Sequence, residues 1–224
     1  MHDSGLKRFF EYYVPWYIPL VMLRPMLRMT FGVTCYGLEH LPGVGAALLC
    51  SNHGTYLDPL LLGAFQPRRF RFVAKSELFE YPGVKQFCEV QQCPMVHRGE
   101  PDRKLFPQAE AVLATDTPLL IFPEGMRVHQ GIGEVEPGAG LIAMRSRVPV
   151  IPIALRGHQE AWPERSPLPF FLQGKSIEIR IGQPVELADL YEKKPQGRAA
   201  REAAQRIIKA IADLYWPPLG QYQA

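Results

Sequence analysis

Three short apolar runs do most to limit what this chain can fold into: Ala46–Cys50, Pro118–Phe122 and Val148–Ala154. Each has the length of a strand, shows little polar alternation, and ends at a polar, glycine-bearing or charged segment. Strands buried on both faces read this way. The segments between them carry helical spacing. Pro59–Phe65 begins at Asp58-Pro59, an acidic N-cap followed by the residue best suited to the first helical turn. Leu105–Ala114 has apolar or small residues at 105, 106, 109, 112 and 113, and Gly138–Arg145 and Ala199–Tyr215 follow as further helices. Shorter strands are expected at Val33–Leu38, Arg71–Ala74, Met95–His97 and Ser176–Ile181, with a helical turn around Ser76–Tyr81. Strands alternating with helices predict an α/β fold whose mostly parallel or mixed central sheet is flanked by helices. Pro149 and Pro152 on either side of Val150-Ile151 predict that Val148–Ala154 is an edge or irregular strand.

At 224 residues and 47% hydrophobic, the chain can bury one full core. Twenty-five basic against 22 acidic side chains leave a formal charge of +3, too little to point to nucleic acid. Cys35, Cys50, Cys88 and Cys93 make no disulfide framework, which fits a reducing compartment. Cys88 and Cys93 have no second ligand pair to complete a zinc site, so no metal is expected.

The first 32 residues form an aromatic, apolar arm flanked by basic residues and interrupted by Pro15, Pro19 and Pro25. Its uncharged run, Tyr12–Leu23, is well short of the roughly 20 residues that span a bilayer. No small-residue cleavage site follows it, so it does not read as a signal peptide. Tyr and Trp favour the headgroup level, and Arg24 and Arg28 can extend towards anionic lipid. The arm therefore reads as a membrane-interface segment over 1–32 preceding an α/β domain over 33–224. The competing reading is a pair of short helices that cap the core or form an interface.

The chemistry centres on Ser51-Asn52-His53-Gly54-Thr55-Tyr56-Leu57-Asp58-Pro59, between a strand and a helix. A histidine paired with a carboxylate can take a proton from a hydroxyl near neutral pH. Residues five apart lie about 140° apart around a helix. The pair therefore meets only if His53 sits in the loop and Asp58 at the helix start. Strand Leu119–Phe122 then delivers Pro123, Glu124, Gly125 and Arg127. Gly125 permits a turn that other residues resist, Arg127 suits a phosphate, and Glu124 reads as an organiser of the loop. Lys75 and Arg98 also follow strand candidates. If these strand ends share one edge of the sheet, one cleft holds an imidazole, a carboxylate and several cations.

These blocks resemble the glycerolipid acyltransferase family, including the 1-acylglycerol-3-phosphate acyltransferases. Asn52–Asp58 is similar to its histidine, four residues, aspartate motif. Val96-His97-Arg98-Gly99, Phe122-Pro123-Glu124-Gly125-Met126-Arg127 and Val148–Ile153 are similar to its later blocks, in the same order, and Ala74-Lys75-Ser76-Glu77-Leu78 also has the family's look. The resemblance implies an O-acyltransferase of phospholipid biosynthesis on the cytoplasmic side of a membrane, peripheral or monotopic. Its donor is acyl-CoA or acyl-carrier protein, and no further cofactor or metal is implied. It implies catalytic roles for His53 as base and Asp58 as its orienter. Arg98 and Arg127 would hold the acceptor's phosphate, Lys75 would assist, and Glu124 and Gly125 would shape the acceptor site.

Two departures bear on the acceptor. Met126 and Val128 stand where the family usually carries hydroxyl side chains, and Glu134-Val135-Glu136 stands where it commonly carries proline, phenylalanine and lysine. A hydrogen bond to a charged oxygen is worth roughly 1.5–3 kcal/mol, so a different lipid-like alcohol, or an amine, stays open as acceptor. A non-catalytic lipid-binding membrane protein is the other reading. A serine hydrolase built on Ser51 lacks the usual nucleophile elbow, and no glycine-rich junction supports dinucleotide binding.

Overall fold

The computed structural model describes residues 17–66, 68–80, 85–86, 88–89, 92–96, 105–163 and 176–216. Residues 1–16 of the arm, Tyr81, and the His97-Arg98-Gly99 stretch lie outside them. The first described element is helix α1 (Tyr17–Phe31), followed by β1 (Thr34–Tyr36), β2 (Leu48–Ser51) and α2 (Asp58–Phe65). Next come β3 (Arg71–Phe72), β4 (Ala74–Lys75), β5 (Met95–Val96), α3 (Leu105–Leu113), β6 (Leu119–Ile121) and α4 (Pro137–Ser146). The chain then forms β7 (Val150–Arg156), the short α5 (His158–Ala161), β8 (Glu178–Ile181) and α6 (Gly197–Tyr215).

Six strands make one mixed sheet in the order β1-β8-β7-β2-β6-β3, and β4 pairs with β5 in a second, two-stranded sheet. Every pairing is parallel except β7 with β8. The apolar runs are buried on both faces. Leu49, Ile151, Ile153 and Leu155 pack with α1 and α2 through Leu27, Phe31, Leu61 and Phe65. Leu48, Cys50, Val150 and Ala154 pack on the opposite side with α3, α4 and α6. On α6, Ala200, Ala203, Ala204, Ile207, Ile211 and Leu214 are buried, the stripe expected of a helix lying on a sheet.

The proline-flanked strand is not at an edge: β7 lies in the interior of the sheet, between β8 and β2. Pro152 is tolerated there because of where its missing donor falls. Gly182 donates to the Pro152 carbonyl at 2.9 Å, just beyond the end of β8. In an antiparallel pair the reciprocal bond would come from the Pro152 nitrogen, so only one bond at the end of the ladder is lost. The Arg71–Ala74 run is likewise not one strand. Val73 donates to Leu120 while Ala74 donates to Pro94, so the chain crosses from the main sheet to the β4–β5 pair at that peptide.

Pro25 does not interrupt α1, which runs through it at the cost of one backbone bond on an exposed face. Leu27 and Phe31 enter the core. Arg24 donates to the carbonyls of Ala64 and, at 3.0 Å, Gln66, capping the C-terminal end of α2, and the Arg28 guanidinium sits 5.5 Å from the Phe65 ring centroid. Both arginines are therefore engaged with α2. Met22, Met26 and Met29 are exposed. Among the described residues no helix is long and apolar enough to cross a membrane.

Candidate active site

Because β2, β6 and β7 are mutually parallel in register, the loops that follow them leave the same edge of the sheet. Asn52 fixes the first loop. Its side chain donates to the Leu155 carbonyl at 3.0 Å and accepts from the Leu155 N–H at 2.7 Å, continuing the β2–β7 ladder one step after the backbone turns away. His53 follows in the loop, and Asp58 is the first residue of α2, with Leu57 as N-cap. The Asp58 carboxylate therefore does not cap from the position expected. It turns back into the loop instead.

There His53 Nδ1 lies 2.8 Å from Asp58 Oδ2. The same oxygen accepts the N–H groups of Gly54 at 2.8 Å and Thr55 at 3.0 Å, while Oδ1 accepts the Thr55 hydroxyl at 2.6 Å. Since a carboxylate only accepts, Nδ1 carries the hydrogen, and in the neutral ring Nε2 keeps its lone pair. Burial pushes the Asp58 carboxyl up. The neighbouring His158, together with the hydrogen bonds from His53 and Thr55, outweighs that and holds it below its ordinary value. The His53 ring stacks on Phe122, centroids 4.0 Å apart and planes 18° from parallel.

The loop after β6 grips the backbone of His53 from the other side. His53 N–H donates to Glu124 Oε2 at 2.9 Å, and Val128 N–H donates to the His53 carbonyl at 2.7 Å. Glu124 Oε1 accepts the Gly133 N–H at 2.8 Å. Burial pushes the Glu124 carboxyl up to about 7; those two backbone bonds partly oppose the rise, and the Asp58 charge adds to it. Gly125 turns with φ +68°, in the left-handed region that favours glycine. At the rim, Arg127 lies 3.8 Å over the ring centroid of exposed Tyr56 and donates to its hydroxyl at 3.0 Å.

The structure thus brings His53, Asp58, Glu124 and Gly125 together, with Arg127 at their edge. Lys75 is on β4, in the two-stranded sheet that the chain enters directly after β3. Arg98 is among the residues not described. Several contributors were absent from the sequence reading. Thr55 and Tyr56 lie inside the motif itself. Gln159 donates to the Val128 carbonyl at 2.6 Å and accepts from the Gly131 N–H at 3.3 Å, tying the segment after Arg127 to α5. The fit is tight. A Cβ on Gly54 would come within 2.5 Å of Gln159 and 2.6 Å of His158, so a side chain there is excluded.

A family model described as acyltransferase matches residues 32–156, the span from β1 through β7 that carries His53, Asp58, Glu124, Gly125 and Arg127. The chain belongs to this acyltransferase family. A 1-acyl-sn-glycerol-3-phosphate acyltransferase of Bacillus subtilis (strain 168) is 27% identical over 192 residues, covering 84% of this chain and 92% of that protein. One from Cocos nucifera is 27% identical over 152 residues, 66% of this chain but only 48% of that longer protein. Among solved structures, the 1-acyl-sn-glycerophosphate (LPA) acyltransferase PlsC from Thermotoga maritima superimposes with a TM-score of 0.72 over 97% of this chain and 86% of that one, at 19% identity. The mixed, helix-flanked α/β sheet is thus a shared fold. Membership makes the protein an acyltransferase using an acyl donor of the acyl-CoA or acyl-carrier-protein type.

Proposed function

We propose that the protein transfers a fatty acyl group from acyl-CoA or acyl-carrier protein to the hydroxyl of a lysophospholipid such as 1-acylglycerol-3-phosphate. One observation carries this reading: the 2.8 Å His53–Asp58 contact, which leaves Nε2 as the basic nitrogen. His53 Nε2 takes the acceptor's hydroxyl proton as the oxygen attacks the thioester carbonyl. The tetrahedral oxyanion then collapses and expels the thiolate, which receives the proton back from the imidazolium, so the base is restored in each turnover. Asp58 orients the ring and stabilises its charged form. Arg127 holds the acceptor's phosphate, with Arg98 and Lys75 as further cations, while Glu124 and Gly125 keep the acceptor side of the loop in shape.

A membrane-bound acceptor gives the N-terminal segment a task. Residues 1–32 act as an interface arm before the α/β domain of 33–224, and the exposed Met22, Met26 and Met29 form an apolar stripe at helical spacing suited to lying against lipid. The location that follows is peripheral or monotopic, on the cytoplasmic side. A second acceptor class is favoured by a specific observation. Met126 is exposed at the rim, and neither it nor Val128 offers a hydroxyl to a phosphate, so a lipid-like alcohol or an amine without that group is the competing acceptor.

Purified protein with liposomes, labelled acyl-CoA or acyl-carrier protein and a panel of lysolipids tests donor and acceptor together. Label is expected in the diacyl product of lysophosphatidate. Transfer to a phosphate-free alcohol or amine instead would select the second acceptor class, and no transfer by folded protein with either donor would overturn the reading.

A further inference from the structure

A buried titratable side chain beside the site has no task in the acyl transfer proposed above. His158 opens α5 directly after Gly157, and its imidazole is fully enclosed, with Nε2 3.8 Å from Asp58 Oδ1. Neither ring nitrogen has a hydrogen-bond partner among the described residues. A buried imidazole in that condition weakens the fold, and an apolar ring would fill the space at lower cost. Its position explains what the polarity does. Asp58 Oδ2 is surrounded by His53 Nδ1 and the N–H groups of Gly54 and Thr55, whereas among the described residues Oδ1 receives the Thr55 hydroxyl alone. The oxygen with fewer donors is the one that faces His158.

We propose that His158 is a positioning residue of the acyl-transfer site: its Nε2–H points at Asp58 Oδ1, so that the aspartate is held between two imidazoles and its charge is divided between them. The proposal rests on the reading of His53 as base. Burial keeps the His158 ring neutral; Asp58 and Glu160 oppose that effect and His53 adds to it. The charged or titratable groups around the pair are therefore Asp58 on α2, His53 in the loop before it, Glu160 on α5, and Glu124, which acts on Asp58 from the loop after β6. A neutral donor at Oδ1 draws charge away from the oxygen that faces His53. The imidazolium formed as the acceptor is deprotonated then gives up its proton more readily to the departing thiolate. Hydrogen bonds of this kind commonly tighten when substrate binds, which closes the 3.8 Å separation without rearranging the fold.

Nitrogen-15 NMR of histidine-labelled wild-type protein tests the geometry without any variant. A neutral His158 ring protonated at Nε2 is expected between about pH 6 and 8; a ring protonated at Nδ1, or at both nitrogens, would overturn the proposal. Kinetics test the consequence. His158→Phe should lower kcat about tenfold and move the acid limb of the activity profile up by about half a pH unit, with KM for both substrates within about twofold. His158→Gln keeps an N–H donor and should recover kcat to within about threefold. A folded His158→Phe protein with the wild-type acid limb, or a His158→Gln protein as impaired as His158→Phe, would refute it. His53→Ala separates the two readings. If that variant is inactive while the His158 variants leave the profile unmoved, this proposal alone falls; if it stays active, the reading of His53 as base falls with it.

Discussion

The His53–Asp58 corner and the Arg127–Tyr56 rim sit at the same edge of one sheet but are built differently. In the corner, Asp58 is buried and, among the described residues, its hydrogen-bond donors come from residues 53 to 55, so the ring it holds has little freedom to turn. At the rim, Arg127 meets Tyr56, a residue 71 positions away and 62% exposed, through a stacked ring and one hydroxyl. The difference follows from the tasks proposed for each. A proton transfer needs a base already oriented in a dry setting, while a headgroup must enter and leave past a side chain that can move aside for it.

Breaking the corner should have the largest effect. His53→Ala is expected to lower kcat about a thousandfold with little change in Tm; equal activity would make the corner merely structural. Asp58→Asn should lower kcat about a hundredfold and destabilise the fold by about 2 kcal/mol, because an amide group turns a donor towards N–H groups that need an acceptor. Chemical denaturation beside kinetics separates the two losses.

The Glu124 loop joins the two regions, and its prediction concerns stability against pH. Its folded carboxyl titrates at about 7 against an ordinary 4.5, so between those values the folded state binds the proton and the unfolded state does not. Stability from this group is therefore full below pH 4.5 and is lost as pH rises through about 7. Relative to Glu124→Gln, the wild-type protein should lose up to about 3 kcal/mol over that window. Urea unfolding at a series of pH values measures this, and a constant difference between the two proteins would break the prediction.

Rim substitutions come next. Arg127→Ala should raise KM for a phosphate-bearing acceptor about tenfold while changing kcat less, the signature of lost ground-state binding. An equal fall in kcat would move Arg127 into the corner's class. Tyr56→Phe removes one hydroxyl contact but keeps the ring under the guanidinium, and should raise that KM only about threefold.

Much of the fold was legible because burial on both faces writes itself into local sequence. The runs Ala46–Cys50 and Pro118–Phe122 contain β2 and β6 to within a residue or two, and the α6 stripe falls where its spacing predicts. The prolines of β7 misled because a proline signals a lost donor without saying where in the ladder the loss falls. In the arm, Arg24 read as a lipid-facing cation, yet the two carbonyls that end α2 claim it, while Arg28 stays exposed beside the Phe65 ring. Asn52 and Gln159 carried no signal, since their partners lie 103 and 31 residues away.

By itself, the sequence determined the alternation of strands and helices and the meeting of His53 with Asp58. A six-residue loop running into a proline-stabilised helix start has few ways to close, so that pairing is nearly a local property of the chain. Tertiary structure alone decided the strand order, the interior place of β7, the single edge shared by the loops after β2, β6 and β7, and the two long-range contacts at Tyr56 and His158. Strand order reflects the summed packing of helices on both sheet faces, and no local pattern of residues encodes that sum.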